Sequence, residues 1–469
     1  MAGSLNLKTK FSNPLKNLLK AWYGDFSKQE LKKYLLLGLT FALILSSHWT
    51  LRVLKDTIFG GIVMGYGKEI IGMKRDMFLG FAKVISLLLL IPLLVLYSKL
   101  VDIMKKHHLL YALGIFYIFS FLAWTYFFLY SPWGLTNCIS SPWRLSGWLW
   151  YIYVESFGTL FITIFWAFVV DISDQKSAQR GFAIIVMMGQ LGGVIIPKIF
   201  TKIPSYFGIS TANIIALCSL LIFFTLLLIY YFRKIITPDQ LQGYKPIESK
   251  KISQESEPSF LEGLKLLVSK GYLLGICAIV SFYEIIITII DYNFTILALK
   301  NFQNESQALA YLGSYASTVN IAAFICLAFG INNIQRRLGM KIALSLIPLI
   351  IGSAIIIFFL YPELNVLFYI LVVAKAVNHS LNGPAIKQLY IPTSENVRYK
   401  TQAWIEVFGN RGAKASASFL NISKSIMGAY PYMLVVASLS LGLASLWFFI
   451  ALYLSKKYSK AIDEQTYIC

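Results

Sequence analysis

The side chains best placed for chemistry in this sequence are charged groups set inside long apolar runs. Residues 147–170 read GWLWYIYVESFGTLFITIFWAFVV, and Glu155 is the one charged residue among them. A carboxylate at bilayer depth is costly and faces a bundle interior or a wet cavity. At helical spacing Gly158, Thr159, Ile162 and Trp166 share its face. Glu155 is then either a protonated or paired structural group, or part of a transport path. A second cluster closes the first apolar run, where His48, Arg52 and Lys55 fall at i, i+4 and i+7. Snorkelling to the interface is the plain alternative there. Later in the chain Glu284, Thr288, Asp291 and Thr295 form a polar stripe, Lys375, Asn378, His379 and Asn382 a second, and Gln402, Glu406, Arg411 and Lys414 a third. Between residues 398 and 414, Arg398, Lys400, Arg411 and Lys414 face a single acid, Glu406. Convergent polar stripes line a cavity, and a local cationic excess selects an anionic cargo. Phosphate suits clustered Lys and Arg.

These groups need elements to hold them in lipid, and the composition supplies such elements. Of 469 residues 57% are hydrophobic and 14% charged, with a mean hydropathy of +0.66. Soluble domains are about 25% charged, so this is an all-α, polytopic membrane protein. Twelve apolar stretches qualify as spans: 34–54, 78–97, 109–130, 147–170, 181–199, 213–232, 272–291, 308–331, 340–360, 366–390, 403–420 and 432–454. Residues 1–33 are a basic segment in which Phe11, Leu15, Leu18, Leu19 and Trp22 recur at helical spacing, as in a surface-lying helix or a solvated tail. Residues 60–77, GGIVMGYGKEIIGMKRDM, read as a loop. Residues 233–271, with Pro238, Pro246 and Pro258, form a polar linker between halves 34–232 and 272–455, and 456–469 form a tail. Lys and Arg concentrate at the even-numbered junctions (Lys99, Lys105 and Lys106; Lys176 and Arg180; Arg336, Arg337 and Lys341; Arg398 and Lys400; Lys456, Lys457 and Lys460). The positive-inside rule therefore places both termini and the linker in the cytoplasm.

A weak repeat relates the halves. Arg180 precedes the GQLG of residues 189–192 by nine positions, as Lys400 precedes the GNRG of residues 409–412. Two parallel six-helix halves are the major-facilitator plan, with cargo bound near midplane between them. The small residues would allow close helix approach.

Three blocks carry a family resemblance: TLRVLKD (50–56), ESFGTLFITIFWAF (155–168) and YIPTSENVRYKTQAWIEVFGNRGAK (390–414). In these, and over most of its length, the chain resembles the ATP/ADP translocases of plastids and obligate intracellular bacteria. The resemblance implies a twelve-helix carrier of nucleotides that lets an intracellular organism draw on its host's pool. It matches Lys55 to the family's first-span lysine, Glu155 to its fourth-span glutamate, and Lys400 and Lys414 to lysines of the late block. The seventh-span glutamate appears as Asp291, followed by Phe294 and Thr295. The tenth-span lysine falls on Ile386, with Lys387 one position along, and a one-residue shift turns a helical side chain by about 100°. The final SGG appears as Ala415, Ser416 and Ala417. These departures fit a divergent paralogue with altered cargo: another nucleotide, or an adenine dinucleotide such as NAD.

The expected substrate-binding set is Lys55, Arg52, Glu155, Asp291, Lys400, Lys414, Lys387 and Asn382. Exchange of nucleotides is the leading reading. Proton-coupled symport and major-facilitator transport of another organic anion are the alternatives. The five cysteines and four histidines form no metal or nucleophile pattern, so no enzyme, metal or cofactor is expected. No Walker-type G-x-x-x-x-G-K-[ST] is present. The expected partners are the nucleotide or dinucleotide and the lipid bilayer, with no nucleic acid, in a monomeric protein of a bacterial cell membrane.

Overall fold

The computed structural model describes residues 27–66, 77–104, 106–173, 175–236, 260–328, 332–390, 392–393, 401, 404–464, 466 and 468. In lipid every backbone N–H and C=O must be satisfied within its own segment, so apolar runs of this length become helices. The first half contains α1 (Lys28–Phe59), α2 (Met77–Ile103), α3 (Lys106–Tyr130), α4 (Leu145–Asp171), α5 (Gln175–Phe200) and α6 (Ala212–Ile235). The second contains α7 (Gly271–Asn301), α8 (Glu305–Ala328), α9 (Asn332–Leu360), α10 (Leu364–Val377), α11 (Ala413–Met427) and α12 (Ala429–Asp463). Three π-helical segments adjoin them: Gly60–Met64 prolongs α1, Asn378–Asn382 links α10 to a last turn Gly383–Leu389, and Ile405–Gly412 leads into α11.

Each of the twelve expected spans overlaps one of these helices among the described residues. Among the described residues ten helices are long and apolar enough to cross a membrane. The other two expected spans lie on α2, whose described apolar stretch is Met77–Leu90, and on α11. Helix α11 is polar (Ser416, Ser418, Asn421, Ser423, Lys424) because it packs between α7 and α2. The polar segment expected over residues 1–33 gives way to helix at Lys28. There Ser27 and Glu30 form a capping box, with the Ser27 Oγ accepting from the Glu30 N–H at 3.1 Å. The earlier basic residues, with Phe11, Leu15, Leu18, Leu19 and Trp22, lie outside the described residues.

Two expected loop starts are corrected. The loop after Lys55 begins later, because Ile58, Phe59, Ile62, Val63 and Met64 are buried and carry the helix to Met64. The exit from the seventh span also moves, to beyond Asn301, since Tyr292, Phe294, Ile296 and Leu299 are buried along α7. Within the stretch expected to be a linker, Phe260–Ser269 is helical, with Leu267 packed into the core.

The helix contacts display the repeat far better than the glycine motif does. Within the first half α1 packs on α4, α5 and α6, and α3 on α6; in the second, α7 packs on α10, α11 and α12, and α9 on α12. Adding six to both numbers of each first-half pair gives a second-half pair. The seam obeys the same rule, for α5 meets α8 and α2 meets α11. Two parallel halves are thus related by a pseudo-two-fold axis along the bundle.

The matched glycines behave differently in the two halves. A Cβ on Gly189 would lie 2.5 Å from the Phe41 ring, and one on Gly192 would fall on the Ala42 carbonyl, so both let α5 press against α1. Gly412 has nothing within 4 Å and belongs to the π segment before α11. Gly192→Ala should therefore lower the melting temperature of the detergent-solubilised protein, since overpacking against an immovable backbone costs about 1–3 kcal/mol. Gly412→Ala should leave it unchanged or raise it. Equal melting temperatures for the two variants would disprove the close approach at Gly192.

Candidate substrate site

On α1, Arg52, Lys55 and Asp56 lie within little more than one helical turn, and His48 lies a turn earlier. On α4, Tyr151 and Glu155 stand at i and i+4, so both face α1. Lys55 is buried, with its Nζ donating to Glu155 Oε1 and lying 3.7 Å from Asp56 Oδ1 and 4.2 Å from the Tyr151 ring centroid. Gly158 leaves room for His48, since a Cβ there would sit 2.8 Å from the imidazole. Together these contacts make a desolvated cation held by two carboxylates and an aromatic face.

The second half repeats this device with the signs exchanged. Lys375 on α10 donates to Asp291 Oδ1 on α7 at 2.5 Å and lies 5.3 Å from the Tyr315 ring centroid. The first half carries its base on α1 and its acid on α4; the symmetry-related helices α7 and α10 carry acid and base. One further interaction crosses the seam. Arg52 on α1 reaches Asp291 Oδ2 on α7 at 3.7 Å, its guanidinium 5.2 Å from the Trp49 ring centroid.

These groups line a cavity of about 280 Å³ between the halves, with Lys83 and Ser86 from α2, Thr159 from α4, Thr288 from α7, and Lys414 and Ser418 from α11. Arg52, Lys55, Lys83 and Lys414 face three carboxylates there, Asp56, Glu155 and Asp291. Exposure separates their roles. The Lys55 and Lys375 side chains are 6% and 9% exposed, whereas Arg52 and Lys414 are 38% and 46% exposed and open to the cavity.

Of the expected site residues, Arg52, Lys55, Glu155, Asp291 and Lys414 converge on this cavity, and Lys400 lies outside the described residues. Lys387 and Asn382 do not line it. They line a neighbouring cavity of about 220 Å³ with Glu284, Asn378, Tyr390 and Asn410. The basic group that α10 offers to Asp291 is Lys375, twelve positions before Lys387, because Lys387 sits at the exposed end of the helix. Lys83 went unremarked in the sequence. It is the one charged side chain of the second apolar run, the same signal that singles out Glu155. Its Nζ lies 6.0 Å from the Tyr292 ring centroid, and that of Lys424 lies 5.7 Å from the same ring.

Among the described residues several close contacts between the halves lie at one end, and Gly193 approaches Asn320 in mid-helix. Thr211 Oγ1 donates to Glu305 Oε1, Ser425 Oγ lies 3.6 Å from Met77 Sδ, and a Cβ on Gly80 would sit 2.7 Å from Ile422. Gly313 abuts Thr201 in the same way. Apart from Gly193–Asn320, these lie where odd-numbered junctions leave the bundle. At the opposite end the Lys33 Nζ donates to Ile172 O and the Tyr272 hydroxyl to Leu389 O, both within a half.

Two helical halves around a shared charged cavity have the architecture of a membrane carrier. The solved structures with this arrangement of helices agree in fold. A bacterial homologue of the iron transporter ferroportin, inward-facing, superposes with a TM-score of 0.61 at 10% identity, over 92% of this chain and all of the other. A bacterial homologue of the human lysosomal transporter Spinster, also inward-facing, gives 0.56 at 14% identity over 92% and 99%. Residues 10–458 match the family model described as TLC ATP/ADP transporter, and the chain belongs to that family. It is 24% identical to ADP,ATP carrier protein 1 of Rickettsia typhi over 97% of this chain and 99% of the relative. It is 22% identical to ADP,ATP carrier protein 3 of Rickettsia conorii over 92% and 95%.

Proposed function

We propose that this protein exchanges nucleotides across a bacterial cell membrane, binding their phosphates between Arg52, Lys55, Lys83 and Lys414. The observation that carries the reading is the central cavity, whose four cations are each of a kind that pairs with phosphate. In the empty carrier carboxylates occupy part of that cationic surface, so an entering phosphate competes with Glu155 for Lys55 and with Asp291 for Arg52. The second competition has a mechanical consequence. Arg52–Asp291 ties α1 to α7 across the seam, and drawing Arg52 onto a phosphate loosens that tie. Cargo then favours reorientation of the halves, which is what coupled exchange requires. Swapping a triphosphate for a diphosphate moves net charge, and each elementary charge is worth about 2.3 kcal/mol per 100 mV.

The loop charges support cytoplasmic termini and a cytoplasmic linker over residues 233–271. With that topology the end marked by the Thr211–Glu305 and Ser425–Met77 contacts is extracytoplasmic. Labelling of tags at either terminus from outside the cell would overturn it. The departures at Asp291 and Ile386 favour a cargo beyond ATP and ADP, with NAD among the candidates. The test is uptake in a bacterial host of labelled ATP, ADP and NAD, with and without internal counter-substrate. Uptake of at least one should be stimulated by internal ADP, and homoexchange of that nucleotide at equal concentrations, which moves no net charge, should be unaffected by an uncoupler. Collapse with the uncoupler favours proton symport, and absence of nucleotide uptake in correctly inserted protein favours another organic anion.

A further inference from the structure

The central cavity gathers the cations, with Tyr151, Val154 and Leu87 beside them, and a second cavity lies against it. Each alone is smaller than the about 300–1,000 Å³ of typical small-molecule sites; the two taken together fall within that range. Their boundary is one ion pair. Lys414, which lines the first cavity, lies 3.4 Å from Glu284 Oε2, which lines the second.

The second cavity is built differently. Tyr283, Tyr390 and Ile405 supply buried walls, and Asn378, Asn382 and Asn410 supply amides. Asn378 and Asn382 belong to one π segment and Ile405 and Asn410 to the other in this half. Such π insertions disturb helix register and recur at functional sites; here two of them aim side chains into one space. Asn382 is 1% exposed and donates its Nδ2 to Asn378 Oδ1 at 2.8 Å, yet among the described residues its Oδ1 has no hydrogen-bond partner. A buried carbonyl left unpaired is costly, and a ligand that donates to it removes the cost. Flat aromatic and aliphatic walls with amide edges are what a planar heterocycle requires.

Resting on the nucleotide reading above, we propose that this second cavity is the nucleobase subsite, and that Asn382 Oδ1 accepts from an exocyclic amine of the base. The cargo's phosphates then lie in the central cavity and its base under α10 and α11, with the Lys414–Glu284 pair opening between them. Bases with an exocyclic amine at the recognised edge, adenine or cytosine, are selected over uracil, which offers a carbonyl there.

The experiment is counterflow in proteoliposomes with ATP, CTP, GTP and UTP as competitors, and with inorganic tripolyphosphate as a probe of the phosphate subsite alone. For the parent, ATP or CTP should compete better than UTP. In Asn382→Leu that preference should shrink by about tenfold, with tripolyphosphate inhibition unchanged; Asn382→Asp, which keeps an acceptor, should retain it. An unchanged base preference in Asn382→Leu overturns the proposal, as does an equal shift for tripolyphosphate and every nucleotide. Should Asn382→Leu fail to insert, Lys387→Cys answers the same question, because Lys387 is exposed and lines the second cavity. Its thiol labelling, above that of the parent, should be blocked by ATP and not by tripolyphosphate. Equal protection by both overturns the proposal. If the parent carries no nucleotide and tripolyphosphate does not inhibit it, the nucleotide reading itself has failed and the subsite falls with it. Nucleotide transport with no base dependence leaves that reading standing and removes only the subsite.

Discussion

Asp291→Asn should produce the largest loss of stability of any single substitution in the site. Asp291 holds Lys375 at 2.5 Å and Arg52 at 3.7 Å, and Lys375 is buried. Removing the carboxylate charge leaves an ammonium in the bundle interior beside the Tyr315 ring. Breaking a buried pair by removing one partner costs about 3–5 kcal/mol, most of it the uncompensated charge. The double variant Asp291→Asn with Lys375→Gln removes both charges and should recover most of the stability in a thermal-melting assay. Exchange should stay lost in the double variant, because Arg52 no longer has its tie across the seam. A double variant as unstable as the single would mean the two residues do not act as a pair. A double variant that exchanges normally would show that the Arg52–Asp291 tie plays no part in transport.

Glu155→Gln should bring exchange down by about a hundredfold or more, which corresponds to about 2.7 kcal/mol of lost transition-state stabilisation. The fold should suffer less than in the Asp291 variant. Glu155 is 36% exposed, so water screens part of the change, and Asp56 at 3.7 Å still partners Lys55. The expected signature is an inserted, thermally stable carrier that binds nucleotide and does not complete counterflow. Lys55 would keep its phosphate contact but lose the group that takes it back when cargo leaves. Counterflow persisting in Glu155→Gln, with net uptake in the parent abolished by an uncoupler, would assign the carboxylate to proton coupling instead.

The two variants probe symmetry-related helix pairs, and their different outcomes follow from burial. Lys375 has one carboxylate partner in its half and lies deep in the bundle; Lys55 has two, one of them partly wet. The halves repeat in backbone but divide the work, with the rigid pair on the second half and the responsive one on the first. The cross-seam contact through Arg52 joins them.

The sequence by itself determined the helices and the charges set within them. Bilayer energetics force long apolar runs into helices whatever their neighbours, so the twelve spans could be read one at a time. A charge within such a run is too costly to be idle, and that reasoning found Glu155, Arg52, Lys55 and Asp291 and applied equally to Lys83. Only the tertiary structure decided which charges meet. Each residue turns a side chain by about 100°, and the rotation of one helix against another leaves no trace in either helix's own periodicity. That is why Asp291 pairs with Lys375 and not with Lys387, and why Asn382 and Lys387 belong to a second cavity. The π segments at Asn378–Asn382 and Ile405–Gly412 alter that rotation locally. Their placement depends on packing between α7, α10 and α11, which forms only once the half has assembled.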